Sequence, residues 1–249
     1  MLRHAANAFV RVALAPTCVA CGTVLARPLA GPVCETCWAA VRRFRPPLCP
    51  QCGEPVASRM STYNGPCRTC GSSRAPWNTA RSVGPYEEPL RAILHAFKYD
   101  HRRVLAPMLA ELLRQAGGDI LEGVAAVVPV PLHPWRAMRR GFNQSDDLAR
   151  ALGPPVWRAL RRTRLRTPQA GLTGRARITN VDGAFLAGRR RLWPSRRWTR
   201  RLAGARVVLV DDVMTTGATM TACTRALLDA GVSDVRVLTV ARTPIRSPR

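Results

Sequence analysis

Two apolar periodicities take turns along the chain from Glu87 onward. Leu90, Ile93, Leu94 and Phe97 recur at helical spacing, which predicts a helix from about Glu87 that closes near "FKYD". A second helix is predicted from about Arg103 to Ala116, with Gly117-Gly118 as its stop. "VAAVVPVPL" (124–132) is an unbroken apolar run ending in prolines, so it reads as a buried strand leading into a rigid turn. "GFNQSDDLARALG" reads as a loop and a helix, "VVLVDD" as a strand, "ATMTACTRALLDAG" as a helix stopped by Gly231, and "VRVLTVAR" as a strand. Between 158 and 206 periodicity is weak, and "AFLAG" (184–188) is a candidate strand there. Strands that are apolar throughout and alternate with helices predict an α/β fold: a mostly parallel sheet with helices on both faces.

The first 77 residues follow another rule. "MLRHAANAFVRVALAPTC" resembles a signal peptide only faintly, because Arg11 breaks its apolar stretch, and it reads as a short amphipathic helix. No apolar run approaches the roughly 18 residues that a membrane span requires. With no export signal, the expected compartment is the cytoplasm.

Eight of the nine cysteines fall in CxxC pairs: Cys18/Cys21, Cys34/Cys37, Cys49/Cys52 and Cys67/Cys70. Two thiolates separated by two residues can chelate one ion from a tight turn, and two such turns complete a tetrahedral four-cysteine zinc site. Gly22, Gly53 and Gly71 follow three of the pairs, where such turns call for positive φ. Four pairs therefore predict two structural Zn2+ sites. Disulfides conflict with the missing export signal, and a redox CxxC would normally occur once beside a βαβ unit. One intact site with a degenerate second is the other metal reading. Sequential pairing closes shorter loops than interleaved pairing and is the expectation, giving two ribbons in tandem. Zinc would replace a core that about 70 residues can barely form. "GSSRAPWN" (71–78) reads as a linker, so the predicted domains are a small zinc-ribbon module at 1–76 and a ligand-binding domain at 78–246. Cys223, alone in a helical pattern, is expected to be a small buried apolar residue.

Charge adds a question of partners. The net charge is +24, and Lys98 is the single lysine among 39 basic residues. A lysine kept in an arginine-biased chain can have a task that arginine cannot perform. From Arg158 to Arg206 there are 15 arginines against one acid, Asp182. Such a segment suits a polyanion, and it equally suits a solvated arginine-rich surface.

"VVLVDDVMTTGATM" (207–220) carries the sharpest chemistry. In open parallel sheets ligands bind beyond the carboxyl ends of strands, where Asp211 and Asp212 fall. Ionised carboxylates only accept hydrogen bonds, so a pair of them suits the hydroxyls of a ribose. "TTGAT" (215–219) then supplies backbone N–H groups, hydroxyls and a permissive glycine at the start of a helix, a cradle for one phosphate. Together these predict a ribose 5-phosphate site. A Walker-type nucleoside-triphosphate loop requires GxxxxGK[ST], and the only lysine lies in "FKYD"; GxGxxG is also absent.

This stretch resembles the phosphoribosyl diphosphate (PRPP) motif of type I phosphoribosyltransferases. "PVPLHPWRAMRRGFNQSDDLA", "RTPQAGLTGRARITNVDGAF" and the cysteine-rich start together resemble the ComF (ComFC) family of competence-associated proteins. The resemblance covers nearly the whole chain. It implies a type I phosphoribosyltransferase-like fold preceded by a double zinc ribbon. Asp211 and Asp212 would hold the ribose hydroxyls directly or through Mg2+, and Thr215, Thr216, Gly217, Ala218 and Thr219 would wrap the 5′-phosphate. Pro131 lies in the segment matching the pyrophosphate loop, with Arg136, Arg139 and Arg140 close by. Lys98 and Tyr99 match a "KY" element placed near the pyrophosphate, and Arg175 and Arg177 fall where related enzymes carry a mobile hood. The implied reaction is displacement of pyrophosphate from C1 of the ribose by a nitrogen nucleophile. Thr215 departs from several purine-specific relatives that place an acid there, so no general base is inferred at that position. Asp146 and Asp147 read as a helix N-terminal pair with a structural role.

Two functions follow. One is a Mg2+-dependent phosphoribosyltransferase, placed by the resemblance in DNA uptake or nucleotide metabolism. The other is a non-catalytic sensor of PRPP or a nucleotide whose ribbons and arginine-rich segment contact single-stranded DNA or a DNA-uptake helicase. Trp157, Trp193 and Trp198 interleave with the arginines, as stacking platforms or as core.

Overall fold

The computed structural model describes residues 2–56, 65–163, 184–190, 193–194 and 196–243. In chain order the helices are α1 (Leu2–Leu14), α2 (Glu35–Ala39), α3 (Arg68–Ser72), α4 (Leu90–Tyr99), α5 (Leu105–Leu121), α6 (Pro134–Arg140), α7 (Gln144–Leu152), α8 (Arg196–Leu202) and α9 (Ala218–Asp229). The strands are β1 (Ala80–Pro85), β2 (Ala126–Pro129), β3 (Leu160–Arg162), β4 (Phe185–Ala187), β5 (Arg189–Arg190), β6 (Trp193–Pro194), β7 (Arg206–Met214) and β8 (Asp234–Arg242). Four of them form one parallel sheet in the order β1-β8-β7-β2. The expected α/β architecture is therefore the observed one.

Alternate residues of β7 feed two cores, which is why its apolar run is unbroken. Val208 and Val210 join Ile93, Phe97, Leu109, Leu113 and Leu148 of α4, α5 and α7 on one face. Val207 and Leu209 join Phe185, Leu202, Met220, Cys223 and Leu227 on the other, beneath the β3-β4 hairpin, α8 and α9. Cys223 is fully buried there, as expected.

Several elements depart from the periodicity reading. Gly117-Gly118 does interrupt the second helix where expected, but a further helical stretch follows beyond the kink, to Leu121. Gly117 takes φ −144° inside α5, and a Cβ there would meet Leu238 at 2.6 Å, so the glycine bends the helix where it presses on β8. β1 escaped notice because Arg81 and Ser82 interrupt it. Ser82 is nonetheless buried, hydrogen-bonded to the Thr239 hydroxyl of β8 at 2.7 Å. Gly71 needs no positive φ, since it lies within α3; Gly22 and Gly53 do take it, at 73° and 70°.

The cysteine-rich segment lies along the outer edge of β1. Phe44 N–H donates to the Val83 carbonyl (2.8 Å), and Ala80 N–H donates to the Gln51 carbonyl (2.8 Å). Backbone groups that an edge strand would leave open are thus covered by the ribbon. Gly84 permits the approach: a Cβ there would stand 1.9 Å from the Arg42 carbonyl oxygen. Val41 enters the main core, and Val19, Val33 and Trp38 pack against it. Among the described residues no helix is long and apolar enough to cross a membrane.

Gly84→Ala should destabilise the protein by about 1–3 kcal/mol, because neither backbone can yield without losing the Phe44–Val83 bond. Thermal unfolding checks this; a melting temperature unchanged from wild type would show that the ribbon does not press on β1.

Candidate functional site

The carboxyl ends of β2 and β7 open into one cavity of about 320 Å3. Asp211, Asp212, Thr215 and Thr219 line it, together with Lys98, Tyr99, Pro131 and Arg140. Residues from four separate stretches of sequence thereby meet in one space. Thr216, Gly217 and Ala218 complete the turn beside it. Arg139 is exposed and does not line the cavity, and Arg136 belongs to α6. Arg175 and Arg177 lie outside the described residues.

Asp211 and Asp212 sit on β7 with opposite side-chain attachments. Asp211 Oδ1 accepts from the Ser145 hydroxyl (2.7 Å) and from the Asp212 backbone N–H (2.9 Å). Asp212 Oδ2 pairs with Lys98 Nζ at 2.9 Å, and both side chains are nearly buried, 12% and 15% exposed. Burial, and then the charge of Asp212, push the Asp211 carboxyl up to about 7, against the pull of Ser145 and Lys98. The lone lysine of the chain is thus the cation that meets the acid pair.

The "GFNQS" segment supports this arrangement residue by residue. Phe142 stacks near Phe97 (6.1 Å between ring centroids) and fixes the turn against α4. Asn143 caps α7: its Oδ1 accepts from Ser145 N–H at 3.2 Å, while its Nδ2 donates to the Val130 carbonyl at 3.0 Å. The cap therefore ties α7 to the strand end that lines the cavity. Gln144 accepts from Arg140 (3.1 Å) and donates to the Lys98 carbonyl (3.4 Å). Arg140 lies over the Tyr99 ring at 4.6 Å. Asp146 and Asp147 turn elsewhere, Asp147 to Arg103 and Asp146 to Arg150 and Arg158, which is the structural role expected of them.

The turn after β7 presents the start of α9. Gly217 is its N-cap at φ 77°, and a Cβ there would meet the Trp77 ring at 3.2 Å. Trp77 is buried beneath the turn. The last residue of β7, Met214, pairs with Arg242 of β8. Arg242 is buried; its Nη1 donates to the Cys52 carbonyl (2.7 Å) and its Nε pairs with Glu54 (2.9 Å). The second cysteine cluster is therefore braced directly against the end of the sheet that carries the turn.

Sequence reasoning missed Tyr86, His133 and Arg162, which also line the cavity, and Ser145, which orients Asp211. His133 stood inside a quoted segment and could have been taken with Pro131. Ser145 stood inside the same segment; Tyr86 and Arg162 reach the site only through the fold.

The cysteines form two tetrads, Cys18/Cys21/Cys34/Cys37 and Cys49/Cys52/Cys67/Cys70, each with its sulfur atoms within 4.8 Å of one another. This is the sequential pairing. All nine cysteines are free thiols. Backbone N–H groups already point at the sulfurs, Cys34 N to Cys18 (3.3 Å) and Cys67 N to Cys49 (3.2 Å), as thiolate ligands require. Hydrogen bonds from Thr23 hold the Cys21 thiol down to about 6. Burial opposes ionisation of Cys49, yet backbone N–H groups bring it down to about 7. Burial, and then the neighbouring thiols, push Cys37 and Cys70 up, and burial pushes Cys52 up, so these would lose their protons only as an ion binds. The donor set fits Zn2+ at both positions.

Comparison with known proteins agrees with both halves. Residues 9–74 match the double zinc ribbon domain model, and residues 138–248 match the phosphoribosyl transferase domain model. The DNA utilization protein YhgH of Salmonella typhimurium is 35% identical over 223 residues, covering 85% of this chain and 90% of that protein. Competence protein F of Haemophilus influenzae is 32% identical over 221 residues, 84% and 90% of the two chains. Competence protein ComFC of Bacillus subtilis is 26% identical over 216 residues, 80% and 79%.

Asp211→Asn keeps the acceptor oxygen and removes one of two like charges. In the unfolded chain this carboxyl ionises near its ordinary 3.8, and in the folded chain near 7. Wild-type stability is therefore lost as pH rises between those values, and the full penalty applies above them. The melting temperature of the variant should match wild type near pH 4 and exceed it by about 2–4 °C or more at pH 8. A difference that stays constant with pH would contradict the repulsion.

Proposed function

This chain belongs to the ComF family, double-zinc-ribbon phosphoribosyltransferase-domain proteins that include competence protein F, ComFC and YhgH, and we propose that it binds PRPP with Mg2+ and acts as a phosphoribosyltransferase. The observation that carries this reading is the meeting of an acid pair, a helix-start turn and the cations Lys98, Arg140 and Arg162 around one cavity. A ribose flanked by a phosphate and a diphosphate asks for those three chemistries in that order. In this reading residues 1–76 are the ribbon module and 78–246 the ligand-binding domain.

Asp211 and Asp212 accept from the ribose hydroxyls, directly or through Mg2+. Their hard oxygen donors suit that ion, which would neutralise the leaving diphosphate. Backbone N–H groups and hydroxyls of Thr215, Thr216, Gly217, Ala218 and Thr219 hold the 5′-phosphate. Pro131 and its neighbours, with Arg140, Arg162 and Lys98, face the diphosphate; Arg136 and Arg139 flank that end, and Arg175 and Arg177 belong to a covering hood. A nitrogen nucleophile attacks C1 while the C1–O bond to pyrophosphate breaks, and the arginines and lysine stabilise the charge leaving on the diphosphate. Asp211, held by Ser145, is positioned to offset the positive charge that builds on the sugar ring. With threonine at position 215 no general base is assigned there, and the nucleophile's proton passes to solvent.

The names of the relatives support a place in DNA uptake or use. A second reading, a PRPP-responsive factor that binds single-stranded DNA or a DNA-uptake helicase without catalysis, draws on one cluster. Trp157 and Trp198 meet edge to face at 6.3 Å, with Arg201 within 6 Å of both rings. Aromatic rings and guanidinium groups together suit unstacked bases.

Calorimetric titration with PRPP and Mg2+ should give saturable binding, reduced at least tenfold by Asp211→Asn with Asp212→Asn. No saturable heat with wild type, or an affinity indifferent to the double substitution, would overturn the reading. Pyrophosphate release against a panel of bases and amines then separates catalysis from sensing. In the second reading, single-stranded DNA binding at low salt falls steeply as salt rises, and a shallow salt dependence would remove it.

A further inference from the structure

Lys98 and Asp212 occupy each other in a site where both are needed for something else. The ammonium stands 2.9 Å from Asp212 Oδ2 inside the cavity, with both side chains nearly buried. Asp212 is one of the two carboxylates available to a ribose or its cation. Its oxygens can accept a hydroxyl beside Lys98, but a divalent cation arriving with the ligand competes with the ammonium and repels it. The Lys98 backbone cannot follow. It lies in the last turn of α4, and Gln144 Nε2 donates to its carbonyl. Only the four-carbon stem can move, and it moves within a cavity whose other cations are Arg140 and Arg162.

We propose that Lys98 is a two-position cation: it neutralises Asp212 before the sugar phosphate arrives and passes to the ligand's diphosphate once the ribose and its cation take Asp212. The inference rests on the PRPP reading of the site and deepens it by naming a specificity determinant. A ligand with a diphosphate at C1 gives the displaced ammonium a new partner. Ribose 5-phosphate with its cation displaces it and offers nothing at that end, so the pair discriminates against the ligand that lacks the leaving group. The residue type fits the task. A guanidinium would grip the carboxylate through two parallel bonds and release it reluctantly, whereas an ammonium is a point charge on a flexible stem. In a chain with 38 arginines, the single lysine stands at the one position where the cation must let go.

The test uses two readouts on the full chain with its zinc in place. First, the affinities of PRPP and of ribose 5-phosphate, each with Mg2+, are compared in wild type and Lys98→Met. The variant should lose tenfold or more for PRPP while ribose 5-phosphate binds as well as before or better. Equal factors for both ligands would overturn the proposal. Second, because there is one lysine, protein labelled with 13C-lysine gives one side-chain Cε signal, read on wild type without any substitution. It should shift on saturation with PRPP and Mg2+, and move to a different position with ribose 5-phosphate and Mg2+. A signal unmoved by saturating PRPP also overturns the proposal. If wild type gives no saturable PRPP binding at all, the function proposed above falls and this inference with it. If PRPP binds but the lysine signal and the selectivity are unchanged, only the assignment of Lys98 falls.

Discussion

Two adjacent carboxylates at the end of a parallel strand cannot share a nearly buried cavity without an answering cation, and the arrangement of this site follows from that demand. Lys98 answers Asp212, and Ser145 with a backbone N–H answers Asp211. Each answer comes from an element held in place for other reasons: α4 by its buried face and α7 by the Asn143 cap. Burial, and then the repulsion that remains, raise the Asp211 carboxyl toward neutrality, the sign of a site that gives up stability to keep charge ready for a ligand.

The zinc ribbons take part in the same body. Their backbone covers the open edge of β1, and Arg242, which donates to the second cluster's Cys52 carbonyl, is paired with Met214 just before the Thr-Gly turn. Trp77, at the junction of the two halves, packs beneath Gly217. A module that looked in sequence like a separable appendage is a buttress for the turn proposed to hold the phosphate. Metal binding there is folding free energy, so the shape of the ligand site is linked to it.

How much of this was legible depended on how local each signal was. Asp211, Asp212 and residues 215–219 lie in one strand-turn-helix unit, so their chemistry could be read without a fold. The cysteine tetrads were legible for the same reason, since CxxC spacing is itself the geometry. Tyr86 and Arg162 carry no motif of their own, and only the fold brings them to the cavity, while Ser145 sits in the quoted "GFNQS" segment and needs the packing of α7 to reach Asp211. β1 was missed because its buried Ser82 is polar and is satisfied by Thr239, a partner 157 residues away. α8 was missed because "RRWTRRL" has only two apolar positions, Trp198 and Leu202, too few to show a helical stripe. Gly117-Gly118 was legible as a break, but not the helical stretch that resumes after it, which follows from the packing of Gly117 on Leu238.

The central claim is that the acid pair and the turn after it form one cradle for a phosphoribosyl group. Amide hydrogen exchange across residues 211–219, with and without PRPP and Mg2+, reads that cradle directly. Exchange at 215–219 should slow on ligand addition in wild type and stay unchanged in Asp211→Asn with Asp212→Asn. Saturating ligand that leaves these amides exchanging at their free rate would contradict the account.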